Sequence, residues 1–493
     1  MSINIKSLSL EEKKKLFVRL KKEKGHKIKE RITPQDRKDR IPTSFQQELQ
    51  IYSIEAKMFD PEECRIPGPA FGYTFKEELN INALNRAIKE IVRRHEILRT
   101  KYEIIDGEKF QVVNEIPENI LSIVDLKNLP EKAEKKEEAA RIIKKRSSDT
   151  FDIFNDPLMI MFMLILRGDR CDLIVTTHHI ATDADAMPIL QKELFVLYQA
   201  FSNNIPSPLP ELPIQYSDFS IWQRKQYSSE NISEKLVFLK KELTDRLELK
   251  LPIDRNEPYK GDLSGDVETV IIEAELEEQL ITLSNATKIS LFTTLFTAYM
   301  ALVYCFSRYT YNEAVITLSE KKQEEIWPLI GCFADFQNIK IDFNGDPNFQ
   351  ELLNRTNNKL LAARDNFIPY SLYLKQTQIP AQTGFNFVQF PDKLSRLQSG
   401  ASLNDNIIPI RIPQPVISIY PLSMMLVEVP RKIAGAIVYQ TELYEPETIQ
   451  RLVSNYIRLL KNIVNNPKLR ISEMDIEPHE SAFSTHDIIY NQA

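Results

Sequence analysis

Glycine is scarce, with 12 in 493 residues. None falls in a G-x-G-x-x-G or G-x-x-x-x-G-K-[ST] run, so the common phosphate-cradling loops are missing and the chain is not expected to activate a substrate with ATP. The four cysteines (Cys64, Cys171, Cys305 and Cys332) lie far apart and form no C-x-x-C pair. That argues against zinc or a disulfide framework and fits a reducing, cytoplasmic setting. Basic residues are not in excess either: 63 Lys and Arg stand against 69 Asp and Glu, a net charge of −6. A nucleic-acid-binding body would need a basic stripe to displace phosphate counterions, so no nucleic-acid partner is expected. Long apolar runs are absent too. The longest, residues 158–166, is strand length, and residues 1–25 hold no signal-peptide stretch, so no membrane partner is expected.

What is present is a chain long enough for more than one hydrophobic core. Its 43% hydrophobic and 27% charged residues are ordinary for a globular protein. Residues 1–38 form a basic leader in which Leu10, Leu16, Phe17 and Leu20 suit a linker or docking helix over 8–24. A first lobe is expected over 39–215, a second over 216–478, and a linker tail over 479–493. In the first lobe, Asn82 is placed to cap a helix over 83–95. Residues 131–147 read as a solvated charged helix. Two buried strands, 158–166 and 173–177, are joined by the turn Arg167-Gly168-Asp169-Arg170. Met187, Leu190, Leu194, Leu197, Tyr198 and Phe201 then follow helical spacing. After the proline-rich loop 202–213, helices are expected over 229–248, 290–305 and 447–464. Strands are expected at 315–318, 337–342, 385–390, 416–420 and 434–440. The fold class is α/β, two halves of helices packed on sheets.

The chemistry concentrates in His178-His179-Ile180-Ala181-Thr182-Asp183. Neighbours on a strand face opposite ways, so one histidine could pack while the other enters a cavity. Metal binding would need further ligands, and His26, His95, His479 and His486 stand in unrelated contexts. Where a buried strand gives way to a helix, small residues (Ala181, Ala184, Ala186) can hold an imidazole at the floor of a cleft. A neutral imidazole there can accept a proton from an attacking amine or orient it. Asp183 is expected to fix the loop, since a buried carboxylate needs a compensating partner.

Five motifs, in order, carry a resemblance. The run 178–184 resembles His-His-x-x-x-Asp-Gly, with Ala184 in place of glycine. Arg94-His95-Glu96-Ile97-Leu98-Arg99-Thr100 resembles R-H-E-x-L-R-T, and residues 216–223, from Tyr216 through Trp222 to Gln223, resemble Y-x-D-(Y/F)-x-x-W-Q. Leu251-Pro252-Ile253-Asp254-Arg255 resembles L-P-x-D-R, and Leu329-Ile330-Gly331-Cys332-Phe333 resembles L-I-G-x-F. Together, over residues 41–478, they make the chain similar to the condensation domains of nonribosomal peptide synthetases. The resemblance implies two chloramphenicol-acetyltransferase-like lobes in a V-shaped pseudodimer with a central tunnel. It also implies amide-bond formation between a carrier-bound acyl donor and an amine acceptor, at His179. Asp183 would pair with Arg99 as a structural salt bridge, beside His178. Tyr216, Trp222 and Gly331 would serve tunnel or interlobe packing, and Trp327 and Phe333 would pack as well. No intrinsic cofactor is implied. The 4'-phosphopantetheine would be carried by donor and acceptor carrier proteins, with adenylation or upstream synthetase modules as possible neighbours.

The chain also departs from the pattern. Ala184 adds a methyl group where the family keeps glycine, and would strain the loop if that residue had a positive φ. After Phe333 the family's V-N-T becomes Ala334-Asp335-Phe336, and residues 319–327 lack the usual Gly-Arg. Two other functions compete on this reading: an acyltransferase using a free or unusual acceptor, and a non-catalytic recruitment platform.

Overall fold

The structure, a computed structural model, describes residues 31–37, 40–55, 68–77, 79–130, 132–146, 151–168, 170–243, 251–255, 263–377, 381–389, 406–413, 416–474 and 476. The leader helix over 8–24, Cys64 and the tail 479–493 lie outside these residues. In chain order the strands are β1 (Ile41–Pro42), β2 (Ala70–Phe75), β3 (Thr100–Ile105), β4 (Glu108–Val113), β5 (Leu121–Asp125), β6 (Ile160–Leu166) and β7 (Cys171–Thr177). Then follow β8 (Gly265–Glu273), β9 (Tyr311–Ser319), β10 (Ala334–Asp342), β11 (Thr383–Val388), β12 (Ile407–Ile410), β13 (Leu422–Val429) and β14 (Lys432–Gln440). Among the described residues they form sheets ordered β12-β2-β7-β6-β5, β10-β9-β11-β13-β14-β8, and a small β1-β4-β3.

In the first lobe, β6 and β7 are antiparallel, and every residue of β7 is buried. Phe162, Leu164, Leu173 and Val175 face the helices Ile81–Arg94 and Ala186–Ser202. Met163, Ile165 and Ile174 face the other way, onto Ala139 and Ile143 of the helix Lys132–Arg146. That charged helix is therefore not merely solvated. Its small apolar stripe closes the second face of the sheet, which is why the strands read as continuous apolar runs. The helix Ile81–Arg94 begins earlier than expected. Its cap is Asn80, whose side chain accepts from the Ala83 N–H at 3.0 Å, and Asn82 lies inside the first turn. The helix Phe45–Glu55 is closed by a reciprocal cap: the Gln47 N–H donates to Ser44 Oγ (3.1 Å), and the Ser44 N–H donates to Gln47 Oε1 (2.8 Å).

The second lobe packs the almost wholly buried helix Leu291–Ser307 between its sheet and the helices Ala274–Thr287, Phe349–Asp365 and Pro446–Asn465. The L-P-x-D-R segment anchors the last of these, because Asp254 accepts from the Glu445 N–H and the Thr448 hydroxyl at its start. The strand expected at 416–420 falls instead at Leu422–Val429. Only Ile417 of that run makes a bridge, to Ser264, and Pro421 separates it from the true strand.

The two lobes exchange material. β12 joins the edge of the first-lobe sheet, antiparallel to β2. The helix Tyr216–Gln226, assigned from sequence to the second lobe, places Tyr216, Phe219 and Trp222 in the first-lobe core. Ile326, Leu329, Ile330 and Phe333 lie in that same core. A cut at residue 216 therefore divides the packing in the wrong place. Among the described residues no single helix is long and apolar enough to cross a membrane.

Candidate active site

β7 ends at Thr177, so the two histidines occupy the turn beyond the strand and not the strand itself. Thr177 pins this exit, with its hydroxyl 2.8 Å from the Pro69 carbonyl and 2.7 Å from the Thr182 hydroxyl. The His178 N–H donates to the Met159 carbonyl at 3.0 Å. His178 Nδ1 accepts from the Ile180 N–H at 2.9 Å, which leaves the proton of the neutral ring on Nε2. The ring also meets Phe151 edge-on.

Both histidines are only partly buried by surface area, so neither is sealed in packing. Burial nevertheless disfavours their charged forms, first for lack of solvation and, for His178, also because His179 is adjacent. His178 is pushed down to about 3. His179 is held below the ordinary histidine range by burial, opposed by a hydrogen bond with the Thr182 backbone that favours the protonated ring. A neutral imidazole with one nitrogen engaged keeps a lone pair on the other, as a proton acceptor requires.

Asp183 is buried, and its partners are backbone groups. The Ala186 N–H donates to Oδ1 (3.0 Å), and the N–H groups of Phe333 (2.7 Å) and Ala334 (3.1 Å) donate to Oδ2. The carboxylate thus ties the histidine loop to the start of β10 and the residue before it. Burial lifts it to about 6, while Lys321 pulls the other way and Asp185 adds to the rise. The salt bridge expected with Arg99 is not formed. Arg99 donates to the Val92 carbonyl (3.3 Å) and the Asn114 carbonyl (2.5 Å) and lies 3.9 Å from Glu96. It braces the end of the helix Ile81–Arg94, and its guanidinium is spent there. The cation that acts on Asp183 is Lys321, from the loop that lacks the usual Gly-Arg. Its own pKa is lowered by burial, its Nζ donates to the Leu329 carbonyl (2.9 Å), and it stands 5.1 Å over the Phe333 ring. A second tie runs beside it, from the Ser319 hydroxyl to Asp185 Oδ2 at 3.0 Å.

Tyr216, Gly331 and Phe333 meet in the first-lobe core. The Tyr216 hydroxyl donates to the Cys332 carbonyl at 2.5 Å and lies 2.9 Å from Ser44 Oγ. A β-carbon at position 331 would fall 2.2 Å from the Tyr216 ring, so only glycine lets this backbone approach. Trp222 is buried beside Phe219. Trp327, expected in packing, is 58% exposed, with its indole N–H on the Lys321 carbonyl. Ala184 is exposed and is not among the residues with positive φ, so its methyl group adds no backbone strain.

Sequence reasoning missed Lys321, which stands in a Glu-Lys-Lys run that reads as solvated surface, and the Ser319–Asp185 tie, for which the sequence carries no signal. It also undervalued Arg94 and His95. Arg94 donates two bonds of 3.1 Å to Glu193, and His95 Nε2 lies 3.0 Å from the same carboxylate, all three buried.

This two-lobed architecture is shared with known proteins. The family described as "Condensation domain" matches residues 40–483, and the chain belongs to that family. It is 29% identical to a component of the linear gramicidin synthase of Brevibacillus parabrevis over 475 residues, which is 94% of this chain and 9% of that protein. It is 28% identical to the chondramide synthase of Chondromyces crocatus, over 84% of this chain and 11% of that one. The chain therefore spans about a tenth of the length of these curated relatives. In fold it is similar to the X-domain from teicoplanin biosynthesis, with a TM-score of 0.77 at 21% identity, covering 91% of this chain and 100% of that one. It is also similar to the epimerization domain of the third module of tyrocidine synthetase B, with a TM-score of 0.70 at 16% identity, covering 90% and 99%. One fold thus carries differently named domains, and the chemistry has to be argued from the site.

Proposed function

We propose that this domain joins a carrier-bound acyl or aminoacyl thioester to an acceptor amine in nonribosomal peptide synthesis, with His179 at the reacting atoms. The amine nitrogen attacks the thioester carbonyl carbon, and a C–N bond replaces the C–S bond. The imidazole takes the proton the nitrogen sheds and returns it to the departing sulfur, so protons balance without a further reagent. Holding the two tethered reactants together supplies much of the acceleration. His178 acts structurally, because its Nδ1 is committed to the Ile180 N–H. Asp183 is a positioning residue that accepts three backbone N–H groups and holds the loop against β10. The phosphopantetheine arms belong to the partner carriers, and the chain's part is to receive their thioesters.

One observation carries this reading above the rest: a partly accessible imidazole, kept neutral by burial, on a loop clamped between two lobes. The test is incubation of the protein with donor- and acceptor-loaded carrier proteins, with product read by mass spectrometry. His179→Ala is expected to lower product formation by about 10²- to 10⁴-fold with an unchanged melting temperature. Undiminished product from that variant would refute the assignment.

A further inference from the structure

The second-lobe sheet buries one face against its helices and leaves much of the other face open. On β8, β14 and β13 that open face carries Val267, Ile271, Ala434, Ala436, Met425 and Val427. Val267, Ile271 and Met425 are 41%, 39% and 49% exposed. Across these positions the face has no charged side chain. Charge first appears at its rim, where Lys432 is opposite Glu273.

Two contacts show that this face looks toward the first lobe. Over β9 and β10 the same face is covered by a cluster in which Val315 and Phe336 pack with Leu49 of the first-lobe helix Phe45–Glu55. Ser319, also on this face, is the residue bonded to Asp185 of the catalytic loop. Following the register across the sheet, Ser319 is level with Val388, Val427, Ala434 and Ile271. Counted from the Ser319–Asp185 tie on β9, the far strand β8 lies four strand spacings away, about 19 Å, and the open part of the face occupies β13, β14 and β8. On the β11 side it is bounded by the Tyr420 ring, which lies over Gly384.

We infer that this face is the seat of a long apolar acyl chain on the donor thioester, a substrate class that rests on the condensation reading above. The backbone decides between an alkyl and a peptide occupant. β13 and β14 are hydrogen-bonded on both sides within the sheet, so they have no free N–H or C=O for a peptide laid across them. A desolvated peptide backbone would lose its hydrogen bonds there, whereas a run of methylenes needs none. Ala434 and Ala436 leave room above the sheet, and Met425 can adapt its shape to a flexible chain.

The test uses acyl thioesters of N-acetylcysteamine, from acetyl to dodecanoyl, with a free amino-acid amide as acceptor and binding measured alongside by calorimetry. Wild type should gain about fourfold in kcat/KM and in affinity per added methylene until the face is filled. Ala436→Arg should cost the dodecanoyl donor at least tenfold while leaving the acetyl donor unchanged, and Met425→Lys, at a half-exposed position, should repeat this. Turnover or binding indifferent to chain length in wild type would overturn the inference while leaving condensation intact. Tight, Arg-sensitive dodecanoyl binding without turnover would uphold the seat and count against the condensation reading.

Discussion

The two large sheets of this molecule are treated in opposite ways. In the first lobe, β7 is buried along its whole length because helices cover both faces; in the second, β8 buries only Val270 and Ile272, flanked by exposed residues. The difference separates two jobs. A strand packed from both sides cannot rock, so the turn after Thr177 presents the histidine pair from a rigid base. A sheet packed on one side only keeps a wall free for something else to lie on.

Breaking the support of the first sheet should have the largest effect. Arg94→Ala leaves Glu193 and His95 buried with a lost cation and is expected to cost about 3–5 kcal/mol in denaturant melts. Arg99→Ala, whose acceptors are partly buried carbonyls, is expected to cost about 1 kcal/mol. Equal losses from the two would mean that the Arg94-His95-Glu193 cluster contributes nothing special.

The contrast between the sheets is tested directly by a matched pair. Ile174→Ala, between the β7 backbone and the helix Lys132–Arg146, should destabilise by about 2–5 kcal/mol. Ile271→Ala, on the open face, should cost less than about 1 kcal/mol. Similar values would erase the distinction drawn between a doubly covered and a singly covered sheet.

A third prediction concerns the joint between the lobes and pH. Asp335 is buried and accepts from the Gln46 amide of the first lobe and from the N–H groups of Phe336 and Tyr370. Burial lifts it to about 7. A carboxyl raised in the folded state contributes stability that is complete below its unfolded value near 4 and is lost as pH rises through about 7. Wild-type stability should therefore fall between about pH 4 and 7, by up to a few kcal/mol at about 1.4 kcal/mol per pH unit, and level off above that. Asp335→Asn should reduce that slope and leave the part due to Asp183, which burial also raises. An unchanged slope would show that other groups set it.

The smallest effect is expected at Ala184. With no positive φ and an exposed methyl group, Ala184→Gly should shift stability by less than about 1 kcal/mol and leave turnover nearly unchanged. A large gain in rate would mean that the methyl group obstructs substrate.

Much of this is legible from residue patterns. Apolar runs mark β6 and β7, and a stripe from Ile449 to Ile463 marks the closing helix. The histidine pair falls where a buried strand ends. The failures share a cause. The spacing of apolar residues fits a helix start at either Asn80 or Asn82, and only the cap geometry separates them. The run 416–420 has the β-branched residues that suit a strand, although its neighbours in space give it only a single bridge. Arg99 pairs with Asp183 by analogy alone, while the chain geometry delivers backbone N–H groups from residues 150 positions away.

The amino-acid order alone determined the local periods, most of the helix extents and the position of the imidazole, because these depend on neighbours within a few residues. Which groups compensate Asp183, where Lys321 lands and which sheet face stays open were decided by the tertiary structure. Electrostatics and burial depend on distance through space, and a linear chain does not record which distant segments will meet.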